Sequence, residues 1–347
     1  MFICQVIASQ GNGGLEKHVR ELSLCLVEQG HRVLVIGDVE FVKTLPVSLE
    51  TVGLNMRLSR HHPLLWFQLY RCLRKYSVDI IHAQANKAAS LLASLRCLVK
   101  TPTVATLHNM KSRFKVFHHF DHVICVSEQL ANQLHHQGAE VIYNGIQPSV
   151  YSSEPTLETL QQRFCLPQSK PVICAIGRLV PAKGFDVLLD AIDGMDISLI
   201  LIGEGPEQKV LEKRIALLKQ NTIVRLIGYH DNPITIMREV DGLVIASRRE
   251  GFSYVLNEAL LSGTNVLSTD VPVANEVLPR ELIVPIEDPL MLRNRLQTLL
   301  DTPSYWKELM RDAQKLARKE MLLEQMVKKT VNLYSRMTKN RTANAQN

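Results

Sequence analysis

The chain is expected to fold as two doubly wound α/β domains, each a parallel sheet covered on both faces by helices. Three observations point there. Its 347 residues are 46% hydrophobic and 21% charged, enough for two soluble domains with cores of their own. Short apolar runs alternate with amphipathic stretches, then stop, then restart in the same rhythm. And in each half the first apolar run leads directly into glycines, as a strand feeding a ligand-binding turn would.

In the first half, strands are expected at Ile3–Ala8, Arg32–Ile36, Asp79–Ala83, Thr103–Leu107, His122–Val126 and Glu140–Tyr143. Helices are expected at Leu15–Gln29, Leu64–Lys75, Lys87–Leu98 and Glu128–Gln137, with Gly30 closing the first and Gly138 the last in the left-handed conformation. From Asn144 to Lys170 the rhythm fails: Asn-Gly, Pro148, Pro155, Pro167 and several serines mark a boundary, with one helix-like piece at Leu157–Phe164. It resumes with strands at Pro171–Ile176, Ile197–Ile202, Thr222–Ile227, Gly242–Ala246, Asn265–Ser268 and Leu282–Val284. Helices near Phe185–Ile192, Glu207–Leu218, Asn232–Glu239 and Tyr254–Leu261 separate them. Everything after Asp288 reads as helix, with a polar, frayed end from Lys339 to Asn347. The expected domains are 1–147 and 148–319, facing each other across a cleft.

Composition narrows the function. No uncharged run is long enough to cross a bilayer, and Met1–Ala8 lacks the basic leader and cleavage site of a signal peptide. The seven cysteines are scattered, without C-x-x-C, which favours free thiols and a cytoplasmic location. Residues 1–147 carry 15 Lys+Arg against 10 Asp+Glu, and 11 of the 12 histidines. Such a half suits an anionic partner such as phospholipid or lipopolysaccharide, or is an ordinary solvated surface. No basic-aromatic module for nucleic acid is visible. Metal chemistry lacks its motifs: there is no Asp-x-Asp at a strand end, no H-E-x-x-H and no Cys/His cluster with zinc spacing. No G-x-S-x-G elbow suggests a hydrolase.

The candidate site residues lie at strand ends. Glu250 precedes a helix that starts after Ser253, whose hydroxyl can cap it, and Glu258 lies on the second turn. The amides of Phe252 to Val255, with Tyr254 and Leu256 beside them, would be open to an anion. The two carboxylates either grip the ends of a sugar nucleotide or are chance neighbours. Gly13 and Gly14 after the first strand let backbone approach a phosphate, or form a plain tight turn. The spacing is not G-x-G-x-x-G, so a nicotinamide enzyme is disfavoured. In Gly177–Gly184, Arg178 as a planar fork and Lys183 as a point charge suit a diphosphate, or are two solvated loop cations. Gly203 and Tyr229 repeat the strand-then-glycine arrangement and leave room for a nucleoside, and His108 ends a strand where it can meet a sugar hydroxyl. Ser127 and Glu128 read as a helix cap.

These residues together resemble glycosyltransferase family 4, retaining enzymes of the GT-B fold, over nearly the whole chain. The glycine pair, Gly-Arg-Leu-x-x-x-Lys-Gly, Gly203-Glu204-Gly205-Pro206, Glu-Gly-Phe with a second Glu after seven residues, and Asn144-Gly145-Ile146 occur in family order. The resemblance implies that Glu258 holds the ribose hydroxyls, Glu250 the donor sugar, and Arg178 and Lys183 the diphosphate. It further implies that Gly13 and Gly14 approach the phosphate, His108 touches the sugar, and a last helix, roughly 320–338, packs back on the first domain. One departure is local: the family usually shows an aspartate followed by paired glycines, and here Asp270 is followed by Val271-Pro272-Val273, with Glu276 kept.

The function expected is metal-independent, cofactor-free transfer of a sugar from a nucleoside diphosphate to a hydroxyl of an envelope glycan or glycolipid. The implied acceptors are lipopolysaccharide core, capsule or glycolipid, met peripherally at the cytoplasmic membrane. The alternatives are a GT-B sugar-nucleotide epimerase and a non-catalytic sugar-nucleotide-binding subunit.

Overall fold

The computed structural model describes residues 1–10, 13–109, 114–147 and 158–344, with side chains to residue 339. Gly11 and Asn12 of the first glycine-rich loop, Pro148 and Pro155 of the boundary and the last three residues lie outside the described residues. The chain divides into two compact units, Met1–Gly145 with Leu323–Asn347, and Ile146–Leu322.

The first unit runs β1 (Phe2–Ile7), α1 (Gly14–Glu28), β2 (Arg32–Asp38), α2 (Val39–Val42), β3 (Glu50–Leu54), α3 (Pro63–Lys75), β4 (Ile80–Gln84), α4 (Ala85–Ser94), β5 (Thr103–Leu107), β6 (His122–Cys125), α5 (Glu128–Leu134) and β7 (Ala139–Val141). Its described strands form one parallel sheet in the order β3-β2-β1-β4-β5-β6-β7. β1 and β4 are buried almost throughout, as strands covered on both faces must be. Ile3, Ile7, Ile80 and Val104 pack with Val19, Leu22 and Leu26 of α1 and with Met326, Val327 and Leu333 near the chain's end.

The second unit runs α6 (Leu160–Arg163), β8 (Val172–Ile176), α7 (Phe185–Ile192), β9 (Ser198–Ile202), α8 (Gln208–Ile215), β10 (Ile223–Leu226), α9 (Ile234–Met237), β11 (Gly242–Ile245), α10 (Tyr254–Ser262), β12 (Val266–Thr269), α11 (Ala274–Val277) and β13 (Ile283–Val284). α12 (Pro289–Asp301), α13 (Pro303–Leu309) and α14 (Arg311–Glu320) follow, and α15 (Leu323–Asn344) belongs to the first unit. The parallel sheet order is β10-β9-β8-β11-β12-β13. Both sheets reverse direction beside their first strand, and ligands collect at such switch points, beyond the carboxyl ends of the strands.

Several expectations need correction. β3 and α2 have no counterpart among the expected elements: β3 alternates exposed and half-buried residues and carries Gly53, so no apolar run announces it. α5 stops at Leu134 with His135 at φ +50°, so Gly138 does not cap it. Gly138 is required instead by crowding, because a Cβ there would lie 2.5 Å from the Asp121 carbonyl. Gly30, at φ +80°, does close α1. The expected frayed tail from Lys339 is helical to Asn344, continuing α15. Among the described residues, no helix is long and apolar enough to cross a membrane.

Candidate active site

In the second unit the switch point falls between β8 and β11, and the loops leaving these two strands carry Lys183 and Glu250. Lys183 ends a 3-10 turn, Pro181–Lys183, ahead of α7 rather than on the helix itself. The next residue, Gly184, sits at φ +63°, and a Cβ on it would lie 2.0 Å from the Ala246 carbonyl. Only glycine lets the two loops come this close, and the approach brings Lys183 to Glu250.

The ammonium of Lys183 donates to Oε1 of Glu250, and the Ser247 hydroxyl donates to the same oxygen at 2.7 Å. The side chains are 22% and 10% exposed, so the pair lies largely out of water, where a charge needs its partner. Thr269 at the end of β12 donates its hydroxyl to the Ser247 carbonyl at 2.6 Å and so fixes the loop. Arg178 is exposed and has no ion-pair partner among the described residues. The loop therefore holds one cation committed to a carboxylate and one free to take an anion.

α10 starts where the sequence places it. Ser253 is buried and its hydroxyl accepts the Leu256 amide at 3.2 Å, so the amides of Tyr254 and Val255 stand at the open first turn. Phe252 and Tyr254 pack edge to face at 5.5 Å. Glu258 is half-buried one turn on, beside buried Asn257, whose amide donates to the Met321 carbonyl at 3.0 Å. Gly203 follows β9, and a Cβ there would lie 1.9 Å from the Gly177 carbonyl, so this glycine is demanded by the neighbouring loop. Tyr229 is 69% exposed.

Sequence reading missed Arg248, which ties this loop region together. It pairs with both oxygens of Asp186 at 2.8 and 2.9 Å, with Glu287 at 2.7 Å, and with the Pro181 carbonyl at 2.7 Å. The Arg248 hydrogen bonds hold Asp186 below the usual carboxylate range, against the raising effect of its burial.

In the first unit, Gly13 donates its amide to Glu16 at 2.9 Å, which leaves Gly14 to start α1. His108, just beyond β5, is buried and bonds through Nε2 to Oε1 of Gln84 at 2.9 Å. That acceptor makes Nε2 the protonated nitrogen and leaves a lone pair on Nδ1. Behind it lies a buried network not foreseen from sequence. Gln84 donates to Gln5 at 2.8 Å, while His82 meets Tyr334 of α15 and Thr106 at 2.6 Å each. The His18 ring stands edge to face on His108 at 4.8 Å. Burial lowers His18 to about 4 and His82 to about 3, and burial followed by the two neighbouring imidazoles holds His108 well below its ordinary value. All three rings are neutral at pH 7. Ser127 caps α5, accepting the Leu130 amide at 3.2 Å.

Two family models account for most of the chain: Glycosyltransferase Family 4 over residues 12–150 and Glycosyl transferases group 1 over residues 158–320. A lipopolysaccharide core biosynthesis glycosyltransferase of Rhizobium meliloti is 27% identical over 219 residues, 61% of this chain and 62% of that protein. A phosphatidyl-myo-inositol mannosyltransferase of Mycobacterium leprae is 26% identical over 322 residues, 83% and 84% of the two chains. Among solved structures, an Anabaena protein in complex with UDP matches with a TM-score of 0.83 at 22% identity, over 96% of this chain and all of that one.

Proposed function

This chain belongs to glycosyltransferase family 4 and is a glycosyltransferase of the GT-B fold, and from that premise we propose its reaction and the residues that perform it. The donor is a nucleoside diphosphate sugar, and the acceptor is a hydroxyl of an envelope glycan or glycolipid presented at the cytoplasmic membrane. Relatives that act in lipopolysaccharide core biosynthesis and on phosphatidylinositol support the acceptor class, and the UDP-bound neighbour supports the donor class.

The observation that carries the reading is the Lys183–Glu250 pair at the switch point, with Arg178, exposed and without an ion-pair partner among the described residues, on the same loop as Lys183. In the reaction, the bond between the anomeric carbon and the diphosphate oxygen breaks. Charge gathers on the leaving diphosphate, where Arg178 and Lys183 stabilise it. The acceptor oxygen bonds to the anomeric carbon on the face the diphosphate leaves, giving retention, and its proton passes to a phosphate oxygen. Glu250 orients the sugar, Glu258 takes the ribose hydroxyls, and the first turn of α10 offers its amides to phosphate. On the first unit, the Nδ1 lone pair of His108 accepts a sugar hydroxyl, and Gly13 and Gly14 give the donor phosphate an approach free of side chains.

Thermal-shift titration with UDP-, GDP- and ADP-sugars tests the donor class: one base should raise the melting temperature at micromolar concentration. Absence of a shift with every one of them would overturn the reading. Incubation of labelled donor without acceptor should leave the sugar configuration unchanged, whereas conversion to an epimer would mark an isomerase.

A further inference from the structure

One face of the first sheet interrupts its apolar core with a line of polar side chains. Ile3, Ile7, Ile80 and Val104 pack there, yet Gln5, His82, Gln84 and Thr106 stand on the same side, at two-residue spacing from them. All four are buried, as is Tyr334 of α15, which covers this face. A strand buried on both faces ordinarily reads as an unbroken apolar run, and polar groups in it cost free energy unless each is bonded.

Here their hydrogen bonds form a single chain that ends on His108. Tyr334 meets Nδ1 of His82 at 2.6 Å and accepts from the Gln5 amide at 3.2 Å. Gln5 accepts from Gln84 at 2.8 Å, and Gln84 accepts from Nε2 of His108 at 2.9 Å. Beyond Tyr334, Nε2 of His82 meets Thr106 at 2.6 Å. Each internal member both donates and accepts, so the chain has two self-consistent directions. In one, Tyr334 donates to His82 and accepts from Gln5, and His108 carries its proton on Nε2. In the other, both amides are turned over and Tyr334 donates to Gln5. Gln84 then offers an N–H to Nε2 of His108, whose proton moves to Nδ1 with no change of charge.

The His82 ring selects the first direction. The amide nitrogen of Gln84 lies 3.4 and 3.5 Å from the two ring nitrogens of His82, and so stands over the ring rather than in line with either. An N–H aimed at an aromatic face is attracted, whereas a carbonyl oxygen in its place would meet the negative side of the ring. We propose that Tyr334, Gln5 and Gln84 are positioning residues that hold His108 as the Nε2–H tautomer and keep its Nδ1 lone pair for the ligand. The last helix thereby acts on the site through the core. Its use in catalysis rests on the proposed role of His108 as acceptor of a sugar hydroxyl, since a protonated Nδ1 would donate instead.

Histidine-selective nitrogen NMR of the full chain, without substrate, reads the tautomer, with His108 assigned by the loss of its signals in His108→Gln. Wild-type His108 should be neutral and protonated at Nε2. Tyr334→Phe removes the hydroxyl that orients Gln5 and should bring the two tautomers to within about 10-fold of each other. Gln5→Leu cuts the chain at its middle and should do the same, which keeps the test open if the Tyr334 variant does not fold. Leu333→Ala, equally buried on the same helix, should lower the melting temperature and leave the His108 spectrum unchanged. Gln84→Leu removes the acceptor itself and should make Nδ1–H the main form. In a transfer assay that variant should lower kcat about 10-fold or more while nucleoside diphosphate affinity stays level. Undiminished transfer beside a switched tautomer would remove the sugar contact of His108 and leave the chain's control of its proton standing. Wild-type His108 protonated at Nδ1, an unchanged spectrum in the Tyr334 and Gln5 variants, or an equal shift in Leu333→Ala would overturn the proposal.

Discussion

Lys183 and Glu250 satisfy each other in this structure, so an incoming diphosphate must draw the ammonium from a carboxylate it already holds. That competition separates the two residues experimentally. Glu250→Ala should cut transfer by at least about 100-fold while nucleoside diphosphate binding stays level or tightens, because the cation is released. Lys183→Ala should weaken the same binding by about 10- to 100-fold and leave a largely buried carboxylate without its cation. Calorimetric titration with the diphosphate, beside a turnover assay, reads both effects, and full transfer by Glu250→Ala would remove Glu250 from the site. These residues were legible because a strand, a glycine and a cation are contiguous in sequence. Arg248 was not, since its partners Asp186 and Glu287 lie 62 and 39 residues away and only the folded loops bring them together. Its loss should therefore act on stability: Arg248→Ala should cost about 1–3 kcal/mol in urea unfolding, through the broken bidentate pair.

At the level of elements, the turn between β12 and α11 shows what the departure from the family pattern does. Val273 caps α11 at φ +69°, a conformation that favours glycine, and it is nonetheless buried. Holding a β-branched residue there costs about 1–3 kcal/mol. Burying its side chain returns about 1.5–3 kcal/mol. The two nearly cancel, so Val273→Gly should change stability by less than about 1 kcal/mol. Val266, equally buried but within β12, has no strain to relieve, and Val266→Gly should lose about 3 kcal/mol or more. Urea unfolding of the two variants checks the difference, and equal losses would mean that the turn at Val273 is unstrained. The sequence shows a valine where a glycine is usual, but not that the backbone keeps the glycine conformation. The same limit explains the other misses. Continuous apolar strands such as β1 and β9 announce themselves, whereas β3 is held at the sheet edge by pairing with β2 and carries no apolar run of its own.

Across the whole molecule, the first unit is closed by the far end of the chain. Tyr334 of α15 joins Gln5 of β1 and His82 of β4 in one buried network, so the unit folds around residues more than 300 positions apart in sequence. The helical character of the chain after Asp288 was legible beforehand, but the docking of α15 on the first unit is set by this network and came only from resemblance. The network also makes the unit acid-sensitive. His18 and His82 have pKa values lowered by burial to about 4 and about 3, and His108 is lowered too. Above pH 6.5 the folded and unfolded states are both neutral at these rings, and there is no cost. Below it the unfolded chain takes up protons that the folded chain refuses, so stability falls as pH drops from 6.5 towards 4. The slope is about 1.4 kcal/mol per pH unit for each histidine. The second unit's one histidine, His230, is only half-buried. Each unit also carries one tryptophan, Trp66 in the first and Trp306 in the second. In a Trp306→Phe variant, Trp66 fluorescence should therefore report an unfolding midpoint that drops sharply between pH 7 and pH 5. Adding His82→Gln should reduce that slope by about one histidine's share, about 1.4 kcal/mol per pH unit. A midpoint that stays level down to pH 5 would show that the imidazoles are protonated inside the fold, and that the network is not the neutral one described.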